Sequence, residues 1–347
     1  MRWLLLAVLA TVSASAADRW RLQYFFDHDD ASLELVDLAF PAKDRGVAVG
    51  ILTRKDTAKP VCLVTGDGGE HWATLEIKGE PHSMFFLNDQ LGWLVTNEGL
   101  FRTEEAGRSW KKLTGPKGML RVHFVTENRG FAVGLRKQAW HTDDGGKTWA
   151  LIPAAGQAKG NPEQVVYGWV TFVSPTTGII AGWNMPRETS SSLIEDPDTK
   201  GRLAPTLGLT LETHDGGASW SSQAVSMFGR ITRVRSGGAE IGIALLEYSK
   251  VFPIPSEVSW LNFRTGKSGL LYKDPEMRVT DLGFAAKSTF LAGVEHGGRL
   301  AEVPVPRRVR VLSSEKWDRW EEMTVDYRAV ARRVVLASAP GWPPIPA

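Results

Sequence analysis

One cysteine in 347 residues, Cys62, leaves no partner for an internal disulfide. It stands in the apolar run Val61-Cys62-Leu63-Val64, the setting of a buried strand residue and not of a reactive thiol. Excess charge of either sign is also lacking. The 41 Lys and Arg face 39 Asp and Glu, a net charge of +2. That balance excludes the strongly basic footprint of a nucleic-acid partner or a polybasic membrane anchor. No apolar stretch after residue 17 reaches the length of a membrane-spanning helix. Zinc-type Cys/His spacing, a Gly-rich phosphate loop and a nucleophile elbow are all missing, so no metal or cofactor is expected. Asp27-His28-Asp29-Asp30 lacks the glycine and the closing glutamate of a calcium loop.

What the chain does have begins with a targeting pattern. Arg2 precedes an apolar core from Leu4 to Val12, and Ala14-Ser15-Ala16-Ala17 offers the small-x-small pattern of a cleavage site. A signal peptide over residues 1–17 is expected, with one domain over 18–337 and a Pro-rich tail over 338–347. The mature protein is then expected in the periplasm or secreted, without stable membrane insertion, and as a monomer.

Glycine (35) and tryptophan (14) are abundant, which suits many short strands joined by tight turns. Four segments share one spacing. They are marked by Thr65, Asp67, Gly69 and Trp72; by Thr103, Glu105, Gly107 and Trp110; by Thr142, Asp144, Gly146 and Trp149; and by Thr213, Asp215, Gly217 and Trp220. A fifth, Ser313 to Trp320, keeps the hydroxyl, acidic and Trp positions and loses the glycine. Thr and Asp side chains can bond nearby backbone amides, and glycine supplies a positive φ. The closing Trp can start a strand and bury a large apolar area. The motif therefore reads as a structural hairpin.

A second unit recurs upstream of the motifs: Leu38-Ala39-Phe40 before Arg45-Gly46, Met84-Phe85-Phe86 before Leu91-Gly92, Val122-His123-Phe124 before Arg129-Gly130, and Val170-Thr171-Phe172 before Thr177-Gly178. Each reads as strand, turn, strand. With the motif hairpin this makes four strands per unit, and the fold class is an all-β propeller of four-stranded blades. Blade counting, with strands from both termini closing the ring, gives seven blades; six is the alternative.

Motifs of this form resemble the BNR or Asp-box repeats of sialidases and related propellers. The stretch Leu91-Gly92-Trp93-Leu94-Val95 through Trp110 more closely resembles the photosystem II stability and assembly factor family. That family pairs a Gly-aromatic-x-Val strand with a Thr-x-Asp-Gly-Gly-x-x-Trp hairpin. The resemblance covers residues 33 to 222. It implies a seven-bladed propeller that binds other proteins.

With the motif hairpins on one face, the first strands of the blades are expected to line a channel and to begin at the other face. There the sequence places Arg121, His123, Tyr167, Trp169, Arg230, Arg233, Arg235 and Arg278, and the long loop from Asn184 to Thr206 adds Arg187 and Arg202. Alternation puts Arg121 with His123, Tyr167 with Trp169, and Arg233 with Arg235. Arginines with aromatics at a channel mouth suit a carboxylate, a phosphate or an acidic protein segment. Set against this, the same arginines could fill a polar channel by pairing with Glu34, Asp37 or Asp281.

An exported, non-catalytic propeller that binds a protein partner in assembly or scaffolding is thus expected. The alternative is a carbohydrate-active enzyme or lectin on the same fold. A sialidase strand of the Arg-Ile-Pro type is absent, since Phe228-Gly229-Arg230-Ile231 lacks the proline and comes late. The adjacent acids Asp29-Asp30 and Glu321-Glu322 would face opposite ways on a strand.

Overall fold

In the computed structural model of the protein, four-stranded antiparallel sheets follow one another along the chain, each built from strands in sequence order. The structure describes residues 23, 24, 26, 28, 30–184, 206–236, 240–248, 252–285, 288–296, 308–323, 325 and 334–337. The signal segment 1–17, the long loop with Arg187 and Arg202, and the tail 338–347 lie outside them.

Blade 1 is β1 (Ala31–Ala39), β2 (Gly46–Arg54), β3 (Thr57–Thr65) and β4 (Ala73–Glu76). Blade 2 is β5 (Pro81–Phe86), β6 (Gly92–Thr96), β7 (Gly99–Thr103) and β8 (Lys111–Leu113). Blade 3 is β9 (Met119–Phe124), β10 (Gly130–Gly134), β11 (Ala139–Thr142) and β12 (Ala150–Leu151), followed by the short helix α1 (Pro153–Gln157). Blade 4 is β13 (Val165–Phe172), β14 (Gly178–Asn184), β15 (Thr206–Thr213) and β16 (Ser221–Met227). Blade 5 is β17 (Gly229–Ser236), β18 (Ile241–Tyr248), β19 (Ser256–Asn262) and β20 (Ser268–Lys273). Blade 6 is β21 (Met277–Ala285), β22 (Ser288–Glu295), β23 (Val309–Ser314) and β24 (Glu321–Met323). First strands of successive blades pack on one another around a channel. The described residues thus form a propeller of six blades, the alternative count and one fewer than the resemblance implies.

The recurring Phe and Gly explain the spacing within a blade. Phe86, Phe124 and Phe172 end their first strands directly opposite Gly92, Gly130 and Gly178. A Cβ on Gly130 would lie 2.5 Å from the Phe124 ring, and one on Gly92 or Gly178 would be 2.7 Å from its own Phe. Only glycine lets the ring lie flat on the second strand. The motif Trp then meets that ring edge-on: Trp149 on Phe124 at 6.2 Å and Trp220 on Phe172 at 6.1 Å. From the preceding blade, Trp93 stacks on Phe124 at 3.5 Å and Phe131 on Phe172 at 4.6 Å. Apolar clusters of this kind bridge blades 1–2, 2–3, 3–4, 4–5 and 5–6. A sixth cluster holds residues of blade 1 alone.

The motif hairpins are held as the residue types require. Thr142 is buried; its Oγ1 accepts from Gly146 N at 3.0 Å and donates to Asp144 Oδ1 at 2.8 Å. Asp144 also accepts from Thr148 N and Thr148 Oγ1. The same bonds recur around Thr65 with Asp67 and around Thr213 with Asp215. In the second motif Thr103 Oγ1 accepts from Gly107 N, and Ser109 Oγ donates to Glu105. Gly217 is needed twice: its φ is +86°, and a Cβ there would strike Phe131 of the preceding blade. In the degenerate motif the strand partner of Thr289 is Ser314, which takes the first position that the sequence assigned to Ser313. The turn is one residue shorter, and Trp317 adopts the positive φ of 66°.

Cys62 is fully buried, and burial pushes its thiol up to about 11, as expected of a strand residue. The segments assigned to a seventh blade, 20–26 and 325–337, fall largely outside the described residues. Their described parts contact blade 1 and blade 6 respectively. Gln23 donates to Gly68 O, and Tyr24 packs on Trp72. Leu336 N donates to Asp281 at 3.0 Å, the bond that Met84 N of β5 makes to Asp37 of β1. Residues 334–337 therefore take, beside blade 6, the place that the first strand of blade 2 takes beside blade 1.

Two outcomes follow for the hairpins. Thr142→Val removes an acceptor from a buried amide and is expected to cost about 1–3 kcal/mol, read from the shift in urea midpoint; an unchanged midpoint would remove the hairpin bond from the fold's stabilising contacts. The second concerns acid. Bonds from Thr148 hold the Asp144 carboxyl down at about 2, and bonds from His71 and from Ser219 hold Asp67 and Asp215 below the usual carboxylate range. A folded-state value below the unfolded one gives stability that is present above the unfolded value and lost as pH falls through the folded one. The protein should lose stability on acidification from about pH 4 towards pH 2, and Asp144→Asn should flatten part of that fall in a melting-temperature series.

Candidate functional site

The first strands share one irregularity that sequence patterning does not show. Each carries a single-residue register shift: between Leu35 and Asp37, Pro81 and Ser83, Met119 and Arg121, Tyr167 and Trp169, Ile231 and Arg233, and Val279 and Asp281. A bulge adds one unpaired residue and breaks the alternation of side chains. The residues that follow the bulges, Asp37, Ser83, Arg121, Trp169, Arg233 and Asp281, occupy one level of the ring, one from each blade. Several reach the backbone of the next blade. Asp37 accepts from Met84 N, Ser83 Oγ donates to Leu120 O, and Trp169 Nε1 donates to Val234 O at 2.7 Å.

At this level three guanidinium groups surround one indole. Arg121 lies 3.9 Å from the Trp169 ring centroid, Arg233 4.9 Å and Arg235 5.5 Å. Such cation–π contacts are strongest when desolvated. Two carboxylates counter the charge. Asp281, 1% exposed, faces Arg233 Nε at 3.6 Å and Arg235 Nη2 at 3.3 Å. It also accepts from Leu282 N and Leu336 N. Asp37 accepts from Leu38 N and Met84 N, and stands 3.8 Å from Arg121 Nη1. Burial lowers Arg121 to about 10, opposed by Asp37, so it stays charged at neutral pH. His123 is brought down to about 4 by burial and by Arg121, so it is neutral there. His123 packs between Phe85 at 4.7 Å and Phe172 at 5.8 Å. Asp37, Arg121, His123, Trp169 and Arg235 line a cavity of about 320 Å³ with Phe40, Phe86 and Phe284, and Arg233 and Asp281 lie behind its wall.

The cavity lies at the opposite end from the one expected. The motif hairpins pack on the β1–β2 type loops, through Gly68 N to Asp44 O, Ala106 N to Gln90 O, Gly145 N to Asn128 O and Gly216 N to Thr176 O. First strands therefore end at the motif face. The lining residues come from their second halves, such as Phe86, Phe172 and Ser236. The sequence reading started these strands too late: β9 begins at Met119, β13 at Val165 and β17 at Gly229. With the bulge, Arg121, His123, Trp169, Arg233 and Arg235 move into the motif-side half.

The other sequence candidates divide. Tyr167 does not share a side with Trp169, because the bulge at Gly168 separates them; it is fully buried and donates to Ala155 O in α1 at 2.9 Å. Arg230 and Arg278 are second residues of their strands, at the far end. Arg230 pairs with Glu247 at 3.4 Å and covers Trp183 at 5.2 Å. Burial, with the charge of Arg278, lowers the proton affinity of His296. Residues the sequence left out of the site are Asp37 and Asp281, named only as possible ion partners, and Phe85 and Ser83. A signal was available: Asp37, Ser83 and Asp281 each lie three residues before the recurring Phe, at Phe40, Phe86 and Phe284. Among the described residues no group of three or more His, Cys, Asp or Glu is placed to hold a metal ion, and no helix is long and apolar enough to cross a membrane.

No family model matches the chain. Vacuolar protein sorting/targeting protein 10 of Neosartorya fischeri is 31% identical over 100 residues, which cover 26% of this chain and 7% of that protein. The chain thus spans 7% of the length of this curated relative. Among solved structures, a GH74 xyloglucanase from Xanthomonas campestris has a TM-score of 0.56 at 11% identity, covering 84% of this chain and 45% of that one. At that identity the likeness shows the propeller fold alone. YCF48 from Cyanidioschyzon merolae has a TM-score of 0.32 at 15% identity over 62% of this chain and 96% of that one. That score leaves the resemblance to photosystem II assembly factors at the level of a propeller.

The site also revises which arginine can be altered safely. Charge reversal at Arg233 would set a carboxylate against buried Asp281. Asp281→Ala, which leaves Arg233 and Arg235 without their counter-charge, is expected to destabilise by about 3–5 kcal/mol, measured by chemical denaturation. A loss under about 1 kcal/mol would mean that solvent already screens the pair.

Proposed function

We propose that this propeller is an exported, non-catalytic module that binds a protein partner, and that the partner's acidic segment enters the channel from the motif side. One observation carries the reading: Arg121 and Arg235, packed on Trp169, line an open cavity, and Arg121 donates no hydrogen bond to any described residue. A preorganised guanidinium with free donors is built to receive an anion. The relative in Neosartorya fischeri is named for sorting and targeting of proteins, which is compatible with protein recognition. Export rests on the N-terminal pattern around Leu4–Val12.

A hydrolase on the same fold would need two carboxyl groups free to act on substrate. Asp37 and Asp281, the carboxylates of the channel level, each accept two backbone N–H bonds and face arginine. That occupation supports binding over hydrolysis.

Crosslinked capture from the host envelope, with mass-spectrometric identification, tests the reading beside a screen with chromogenic sialosides and β-glucosides. The wild-type protein should recover a defined partner, Arg121→Gln should lose it while keeping its melting temperature, and no glycoside should turn over. Turnover abolished by Asp37→Asn, or capture indifferent to Arg121→Gln, would refute the proposal.

A further inference from the structure

The charges and hydrogen bonds at the channel level narrow the ligand further. Arg121, Arg233 and Arg235 carry three positive charges, and Asp37 and Asp281 carry two negative ones. Those four other groups are the charged ones that act on Arg121, so among the described residues the level holds one positive charge in excess. The donors are just as unevenly used. Arg233 donates to Thr232 O at 2.8 Å, and Arg235 to Asp281 and to Leu336 O. Among the carboxylates of the described residues Arg121 faces Asp37 Oδ2 alone, at 3.8 Å, an oxygen that already accepts from Met84 N at 3.0 Å. Arg235 Nε is also buried without an acceptor. The Arg121 donors are open to the cavity and without a hydrogen-bond acceptor among the described residues, so the site has room for one acceptor group and one negative charge.

We infer that the channel reads a single carboxylate, paired with Arg121 and carried on an apolar flank; this rests on the binding reading above. A carboxylate brings one charge and a flat pair of oxygens that matches the guanidinium fork. A phosphate monoester brings close to two charges. Its second charge would enter a site of restricted solvent beside Asp37 and Asp281 without a counter-charge. His123 cannot supply that charge at neutral pH, because it is held neutral between two phenyl rings and beside Arg121. The flank is set by Phe40, Phe85, Phe86 and Phe172 on the cavity wall. A cavity of about 320 Å³ admits a side chain or a chain end and not a folded domain. A peptide C-terminus and an acidic side chain present the same group, and the probes separate them.

The test uses ligand-observed NMR on the intact protein at pH 7.5 with four probes. N-acetyl-phenylalanine carries a terminal carboxylate, and N-acetyl-aspartyl-phenylalaninamide carries a side-chain one. N-acetyl-phenylalaninamide carries none, and phenyl phosphate is the dianion. At least one carboxylate probe should bind saturably, the amide should not, and phenyl phosphate should bind at least about tenfold more weakly. Arg121→Gln should weaken the carboxylate probe at least about tenfold, and Arg121→Lys, which keeps the charge and loses the fork, by less. Melting temperatures of both variants check the fold, and the Lys variant carries the test if the Gln variant fails to fold. Equal binding of acid and amide, tighter binding of phenyl phosphate, or binding indifferent to Arg121 would overturn the inference. So would silence from all four probes. If Arg121-dependent capture of a protein partner survives such a failure, the binding reading stands and only the single-carboxylate inference falls.

Discussion

How closely a second-strand backbone can approach an aromatic ring sets the geometry of this propeller. Phe124 shows the arrangement in full. Its ring lies flat on Gly130 of its own blade, Trp93 of the preceding blade stacks on its other face, and Trp149 closes its edge. Phe172 repeats this with Gly178, Phe131 and Trp220. One ring therefore joins three elements from two blades. A side chain at the glycine would lift the ring and push the neighbouring blade away. Close packing of this kind transmits a change of one methyl group to its surroundings.

The motif hairpin serves that packing. Its Thr and Asp bonds fix the turn so that the Trp arrives edge-on at the Phe, and its glycine sits against the preceding blade. The acidic residues are thereby committed to backbone amides and hydroxyls. Their lowered proton affinity reports hydrogen bonds that hold a turn, not a poised acid or base. The channel level depends on the same frame. Each bulge turns the next side chain towards the ring, and the inter-blade contacts hold the six bulges level.

These two layers differ in how far they could be read from sequence. The hairpins were legible because their bonds are local: Thr142, Asp144 and Gly146 lie within five residues, and the pattern repeats. Phe124 with Gly130 was legible for the same reason. The bulges were not, because nothing in Gly168 or Thr232 distinguishes an extra unpaired residue from an ordinary strand residue. One missed bulge put Tyr167 into the site, although its hydroxyl is bonded inside blade 4 to Ala155 O. Taking Arg121, Trp169 and Arg233 as belonging to the beginnings of their strands put them at the wrong end of the channel. The identity of the cationic cluster survived both errors, since Arg121, Trp169 and Arg233 are read as residues whatever their register. Asp37 and Asp281 were legible as ion partners, and the structure pairs all three arginines with them. Arg233 and Arg235 share Asp281, and Arg121 meets Asp37 at 3.8 Å without a hydrogen bond.

The unequal treatment of the three arginines argues for a role beyond filling the channel. A channel designed only for stability would place acceptors on every buried guanidinium, because an unmade hydrogen bond costs more than a made one returns. Arg233 and Arg235 follow that rule in part, through Asp281, Thr232 O and Leu336 O, with Arg235 Nε left buried without an acceptor. Arg121 breaks it while remaining held in place by the flat face of Trp169. Stacking orients a guanidinium without consuming its in-plane donors. The contact that fixes Arg121 is thus one of the few that leaves its fork open towards the cavity. Asp37, which might have closed the fork, is turned instead to the amides of Leu38 and Met84. The bulge in β1 and the bulge in β9 together create this mismatch, setting carboxylate and guanidinium at one level but 3.8 Å apart. Local inconsistency of that kind is what a binding role at Arg121 would require of the fold.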